Sequence, residues 1–74
     1  MLDNKSTYYV TNWDDAWEYT RALEAMNIPY VVESPGSPLH LNEGELAIVF
    51  PHLTMRTYAK VRTLFGGDGE RYPD

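Results

Sequence analysis

Apolar and polar positions follow two different periods along the chain, and the points where the period changes mark its elements. From Trp13 to Ile28, WDDAWEYTRALEAMNI, the apolar residues recur at helical spacing. At about 100° per residue, Trp13, Ala16, Trp17, Tyr19, Thr20, Leu23 and Met26 gather on one broad side, and Asp14, Asp15, Glu18, Arg21, Glu24 and Ala25 take the other. Asn12 is suited to cap the first turn, and Asp14 and Asp15 place negative charge at the positive end of the helix dipole. Asn27 can close the last turn, and Pro29 cannot continue the helical hydrogen bonding.

The remaining periodic segments read as three strands and a second helix. Thr7 to Thr11 is β-branched and aromatic throughout, with Tyr8 and Val10 facing one way and Tyr9 and Thr11 the other. Ile28 to Glu33 predicts a second strand, with Pro29 at its start or on an edge. Glu45 to Phe50 is the most apolar run and predicts a central strand, with Leu46, Ile48 and Phe50 on one face and Ala47 and Val49 on the other. The spacing predicts a final helix from about His52 to Phe65, with Pro51 in its first turn, Leu53, Thr57, Val61 and Leu64 inward, and Gly66-Gly67 as its stop. Residues 67–74 offer little to pack and are expected to fray unless a partner or Tyr72 holds them.

The predicted fold class is α+β, in the order β-α-β-β-α. A right-handed crossover places the third strand between the first two, giving a three-stranded sheet of order 1-3-2 with both helices on one face, a truncated ferredoxin-like arrangement. Residues 1–74 form a single domain with its ordered core at about residues 7–66. The layout leaves open the far edge of the first strand and a sheet face carrying Tyr9, Thr11, Val31, Ala47 and Val49. A second copy is expected there, making these residues a homodimer interface, because a chain of 74 residues without cysteine is short of core and has no disulfide to compensate.

Charge narrows the partners. A net charge of −5 and a pI near 4.8 disfavour direct binding to nucleic acid or to anionic membranes. The opening Met1-Leu2-Asp3-Asn4-Lys5 lacks the basic and apolar regions of a signal peptide, and no run approaches the length of a membrane span, so a cytoplasmic setting, bacterial or phage-infected host, is expected. The first helix is acidic on its outer side. The second is basic, with Arg56, Lys60 and Arg62 pointing outward.

Candidate chemistry is sparse. His40 and His52 do not stand at a metal-type spacing, and a zinc site built from them with Glu43 or Glu45 is disfavoured. Ser6, Ser34 and Ser37 have no adjacent base. The pair Asp14-Asp15 is accounted for by helix-end electrostatics and the pair Glu43, Glu45 by a solvated turn. Gly66-Gly67-Asp68-Gly69-Glu70 is similar to the signature loop of diguanylate cyclases, but Gly69 interrupts the acidic pair and the chain is far shorter than that domain; it reads as a helix stop. No glycine-rich phosphate loop is present. Leu39-His40-Leu41 shares its leucines with short peptides that dock on bacterial sliding clamps but lacks their glutamine and terminal aromatic. The expectation is a non-enzymatic protein with no catalytic residue, cofactor or metal.

The aromatic content is the stronger signal. Two Trp, six Tyr and two Phe exceed what so small a core needs, and surplus aromatics are common anchors of protein interfaces. Trp13 and Trp17 stand one turn apart beside Asp14, Asp15 and Glu18. They read either as lids over the sheet edge or as a partner-binding hot spot ringed by acid.

The layout of a strand leading into a capped helix, then NIPYVVE, a loop and ELAIVFPHLTMRTYAKVRTLF resembles a small prokaryotic family of signal-transducing protein domains. Asn27-Ile28-Pro29 and Phe50-Pro51 stand where that family has a GIP-type turn and a strand ending in VP. The resemblance spans about residues 7–65, implies the fold and carries no catalytic residue. Three functional expectations follow. The first is an acidic interaction module that inhibits or modulates a protein with a basic surface, such as a phage-type inhibitor of a host DNA-processing or defence protein. The second is a DNA mimic that occupies a nucleic-acid channel such as that of a replication protein. The third is an ACT-like dimer that senses a small ligand.

Overall fold

The computed structural model describes residues 4–73. Its elements are β1 (Lys5–Asn12), α1 (Trp13–Ala25), β2 (Val31–Glu33), β3 (Glu45–Pro51), α2 (Met55–Phe65) and β4 (Glu70–Arg71). They form one four-stranded sheet of order β2-β3-β1-β4 in which every neighbouring pair is antiparallel. The α+β class with two helices is as expected. The three-stranded sheet of order 1-3-2 is corrected, because the chain supplies its own fourth strand for the outer edge of β1.

Local chemistry explains both helices. Asn12 accepts the backbone N–H of Asp15 at 2.8 Å and its amide donates to the Asp15 carboxylate at 3.1 Å, so cap and first turn hold each other. At the other end Met26 is the cap and Asn27 turns left-handed at φ 57°, letting the N–H groups of Asn27 and Ile28 reach back to Glu24 and Leu23 at 3.1 and 3.0 Å. That turn brings Ile28 into the core beside Leu23, so β2 starts three residues later than its apolar pattern predicts. The second helix also starts late. Pro51 ends β3 opposite Lys5, and Thr54 caps α2 by accepting the N–H of Thr57 at 3.2 Å.

The core lies mainly between the sheet and the helices, where Tyr9, Leu23, Ile28, Ile48, Phe50 and Val61 are buried and Tyr19, Tyr30, Leu53, Leu64 and Phe65 pack against them. Phe65 stacks between Tyr9, at 4.0 Å between ring centroids, and Tyr19, at 4.2 Å. Aromatic stacking of this kind adds to the area that the rings bury.

Pairing with β3 fixes which face of β1 is which. Tyr9 lies opposite Ile48 and Thr11 opposite Leu46, so both belong to the helix-covered face, and Tyr8 and Val10 to the other. The assignment of Tyr9 and Thr11 to an open dimer face is therefore corrected. Both faces of TYYVT are aromatic or β-branched, so alternation alone cannot say which one turns inward. Val31, Ala47 and Val49 do lie on the far face, but the part of that face they occupy is covered by the chain itself, and among the described apolar residues on it only Val10 stays exposed. Leu39 is buried against Ala47 and Val49, with Tyr8, Val31, Leu41 and Tyr72 around them. Ala47 and Val49 are wholly buried within one copy, and Val31 is half-buried.

The tail closes the structure. Gly66, left-handed at φ 80°, ends α2, and the chain then returns along β1, pairing Glu70 with Tyr8 and Arg71 with Thr7. Gly69 passes so close to β1 that an added Cβ would stand 2.8 Å from the buried ring of Tyr9. The Tyr9 hydroxyl donates to the Gly67 carbonyl at 2.8 Å, fixing the same segment from below. The glycine cluster is thus more than a helix stop.

Candidate partner-binding surface

Trp13 and Trp17 project from the flank of α1 that faces β2. Ala16 and Leu23 on the inner side of the helix are buried, whereas Trp13, about 60° round the axis from Ala16, and Trp17, about 100° round, are 67% and 66% exposed. They are not lids over the sheet. With Ala16, Thr20, Val32 and Leu46 they line an open groove of about 280 Å³ between α1 and β2. Leu46 and Ala16 form its buried floor, and Trp13, Trp17 and Val32 its exposed walls. The hydroxyl of Thr20 donates to the Trp17 carbonyl at 3.2 Å, so the one hydroxyl in the lining is satisfied within the helix.

The acidic residues assigned to this surface separate. Asp14 and Glu18 stand on the outward side of the helix, next in rotation to the tryptophans. Asp15 lies on the opposite flank, where it lines a different depression with Asn12, Tyr19 and Glu45. The structure therefore groups Trp13, Trp17, Asp14 and Glu18 and leaves Asp15 to the cap. Two features escape the sequence reading. Val32 becomes part of the groove because β2 is the outermost strand, and the Arg21 guanidinium sits 6.0 Å from the centre of the Trp17 ring, a cation held over its face. The i, i+4 spacing of Trp17 and Arg21 could have signalled the second; nothing local could have signalled the first.

Asp14, Asp15 and Glu18 take no part in the two ion pairs found among the described residues, Lys5–Glu33 and Arg62–Asp68. α1 therefore presents its carboxylates uncompensated except by Arg21. On α2, one of three cations, Arg62, is paired with Asp68 at 2.6 Å.

The remaining polar cluster is structural. Lys5 reaches Glu33 at 2.6 Å, and the Tyr72 hydroxyl donates to the two oxygens of the same carboxylate at 2.9 and 3.0 Å. Partial burial pushes the Glu33 carboxyl up, but the bonds from Lys5 and Tyr72 outweigh it and hold the group below its ordinary range. The hydrogen bond to Glu33 raises Lys5, and burial followed by the same carboxylate raises Tyr72. Together these groups tie the tail and β1 to the end of β2, and the ring of Tyr72 covers the far-face cluster.

His40 and His52 are exposed, and among the described residues no cluster of three or more histidine or acidic groups has metal-binding geometry. Leu39 is buried on the sheet and so is not displayed as a peptide motif would be. No helix among the described residues is long and apolar enough to cross a membrane. Comparison of the chain with family models, with characterised proteins and with solved structures found no match.

Proposed function

We propose that the chain is a non-enzymatic interaction module that binds and inhibits another protein, in the manner of a phage-encoded inhibitor of a host DNA-processing or defence protein, and that α1 is its contact surface. One observation carries this reading. All six Tyr and both Phe are buried or half-buried in the fold, whereas both Trp stand two-thirds exposed on one groove. Leaving the two largest side chains in water forfeits burial that a small domain can ill spare, and that burial is recovered when a partner covers them. Their neighbours Asp14 and Glu18 specify the partner's sign. A basic surface would be drawn in by the charge and anchored by the rings.

A second, narrower reading makes the carboxylates substitutes for DNA phosphates in a nucleic-acid channel. It is favoured by the absence of Asp14 and Glu18 from the ion pairs among the described residues, which leaves them available to lysine and arginine of such a channel.

Capture from bacterial lysate by the wild-type chain, set beside capture by Trp17→Ala and Asp14→Asn, tests the first reading. The expected result is a partner lost with Trp17→Ala, weakened less by Asp14→Asn, and associating more slowly as salt is raised. Equal capture by all three proteins overturns α1 as the surface. Competition with duplex DNA for the captured protein then tests the second reading, which requires mutual exclusion.

A further inference from the structure

We propose that the groove between α1 and β2 receives an extended basic segment of the partner, which adds beside β2 as a further strand and places an aliphatic side chain between Trp13, Trp17 and Val32. This rests on the reading of α1 as the contact surface and names the occupant.

The groove has two unlike walls. One is the helix flank bearing Trp13 and Trp17; the other is β2, whose inner side pairs with β3 and whose outer side has no strand among the described residues. An edge strand offers unpaired backbone donors and acceptors. A partner strand satisfies these groups, whereas a helix laid in the same place cannot, which selects an extended occupant. Side-chain direction agrees. Val32 pairs with Ile48 and so points to the helix-covered side, and alternate residues of an added strand would point into the same groove. The groove's one hydroxyl, on Thr20, is satisfied by Trp17, and apart from the two indole N–H groups the rest of the lining is apolar, so the inserted side chain should be apolar.

Charge selects a basic segment. Asp14 and Glu18 stand beside the tryptophans, and Glu24, expected on the outer side, instead continues the stripe of Trp13, Trp17 and Thr20, where it accepts the Tyr30 hydroxyl at 2.7 Å. Against these the helix has only Arg21, already held over Trp17. Glu33 at the end of β2 is taken by Lys5 and Tyr72, so the groove itself offers acid mainly along α1.

Trp13 and Trp17 are the only tryptophans, so their emission reports the groove directly. The intact protein is titrated with a short peptide alternating valine and lysine, with the same peptide N-methylated at alternate residues, with a version carrying glutamate for lysine, and with polylysine. The expected result is a saturable blue shift with the valine–lysine peptide, a loss of about tenfold in affinity on N-methylation, and no binding of the glutamate version. Val32→Lys, at a half-exposed site where circular dichroism should stay unchanged, is expected to weaken the valine–lysine peptide to a similar degree. Equal binding of the N-methylated peptide, equal binding of the glutamate peptide, or indifference to Val32→Lys overturns strand addition. So does a blue shift that grows with protein concentration alone as the mass doubles, which would give the groove to a second copy. If strand addition fails while polylysine still binds and is weakened by Glu18→Gln and by salt, α1 remains the contact surface. If polylysine also fails to bind, that reading falls with it.

Discussion

The two faces of the sheet are covered by different kinds of chain. On one side two amphipathic helices lay down a periodic apolar surface over Tyr9, Ile48 and Phe50. On the other the cover is irregular, consisting of Leu39 and Leu41 from the connection between β2 and β3, and Tyr72 from the tail. The first cover is cooperative, because each helix residue is held by its own backbone ladder as well as by packing. The second is held by side chains alone, apart from the short β4 pairing and isolated turn bonds such as the N–H of Leu39 to the Ser37 hydroxyl at 3.2 Å. The difference shows how a chain of this size can close a sheet without a third layer of secondary structure. It also leaves Val10 as the open apolar residue of the far face, against Trp13, Trp17 and Val32 at the groove beside β2.

The comparison can be broken most severely at Val49, which is wholly buried under the irregular cover. Val49→Lys would bury an unpaired ammonium group, and it is expected to unfold the isolated chain rather than merely to dissociate copies of it. Circular dichroism with light scattering distinguishes the two outcomes; a folded variant of altered mass would return the far face to the role of an interface.

Truncations on the two sides should differ in size. Phe50→Ala, beneath the helices, is expected to cost about 3–5 kcal/mol, and Leu39→Ala, in a connection able to settle onto the gap, about 2 kcal/mol. Urea denaturation measures both. Equal costs would mean that the connection is as rigid as the helices.

Tyr72→Phe sharpens the contrast with a smaller effect. Loss of its bond to Glu33 is expected to cost on the order of 1 kcal/mol near neutral pH. Because the folded carboxyl lies below its unfolded value, this stabilisation is fully present above the ordinary carboxylate range and is lost as pH falls through the lowered folded value. Thermal melts of wild type and Tyr72→Phe should therefore converge on acidification. A gap that held constant with pH would remove Glu33 from the account.

The smallest effect on stability is expected at Trp17, although it carries the proposed function. Trp17→Ala should change folding free energy by no more than about 0.5 kcal/mol, as is usual for exposed positions. A large loss measured by urea denaturation would show that the ring supports the fold, and it would remove the observation on which partner binding rests.

The sequence alone specified what depends on neighbours within a few residues. The cap at Asn12, the stop at Asn27 and Pro29, the apolar run of β3 and the α+β class are legible because hydrogen-bonding distance along the chain is set by backbone geometry. So is the acidic outer side of α1. Contacts between distant segments carry no such period. Whether Tyr8 or Tyr9 faced the helices depended on register with β3, and the tail became a strand because Gly69 permits close passage over Tyr9. The exposure of Trp13 and Trp17 likewise depended on tertiary structure, since their place in the helical pattern fits a buried margin as well as an open one. Their rotation off the inner side of α1, together with the position of β2 as the outermost strand with no element beyond it among the described residues, left those two rings in solvent.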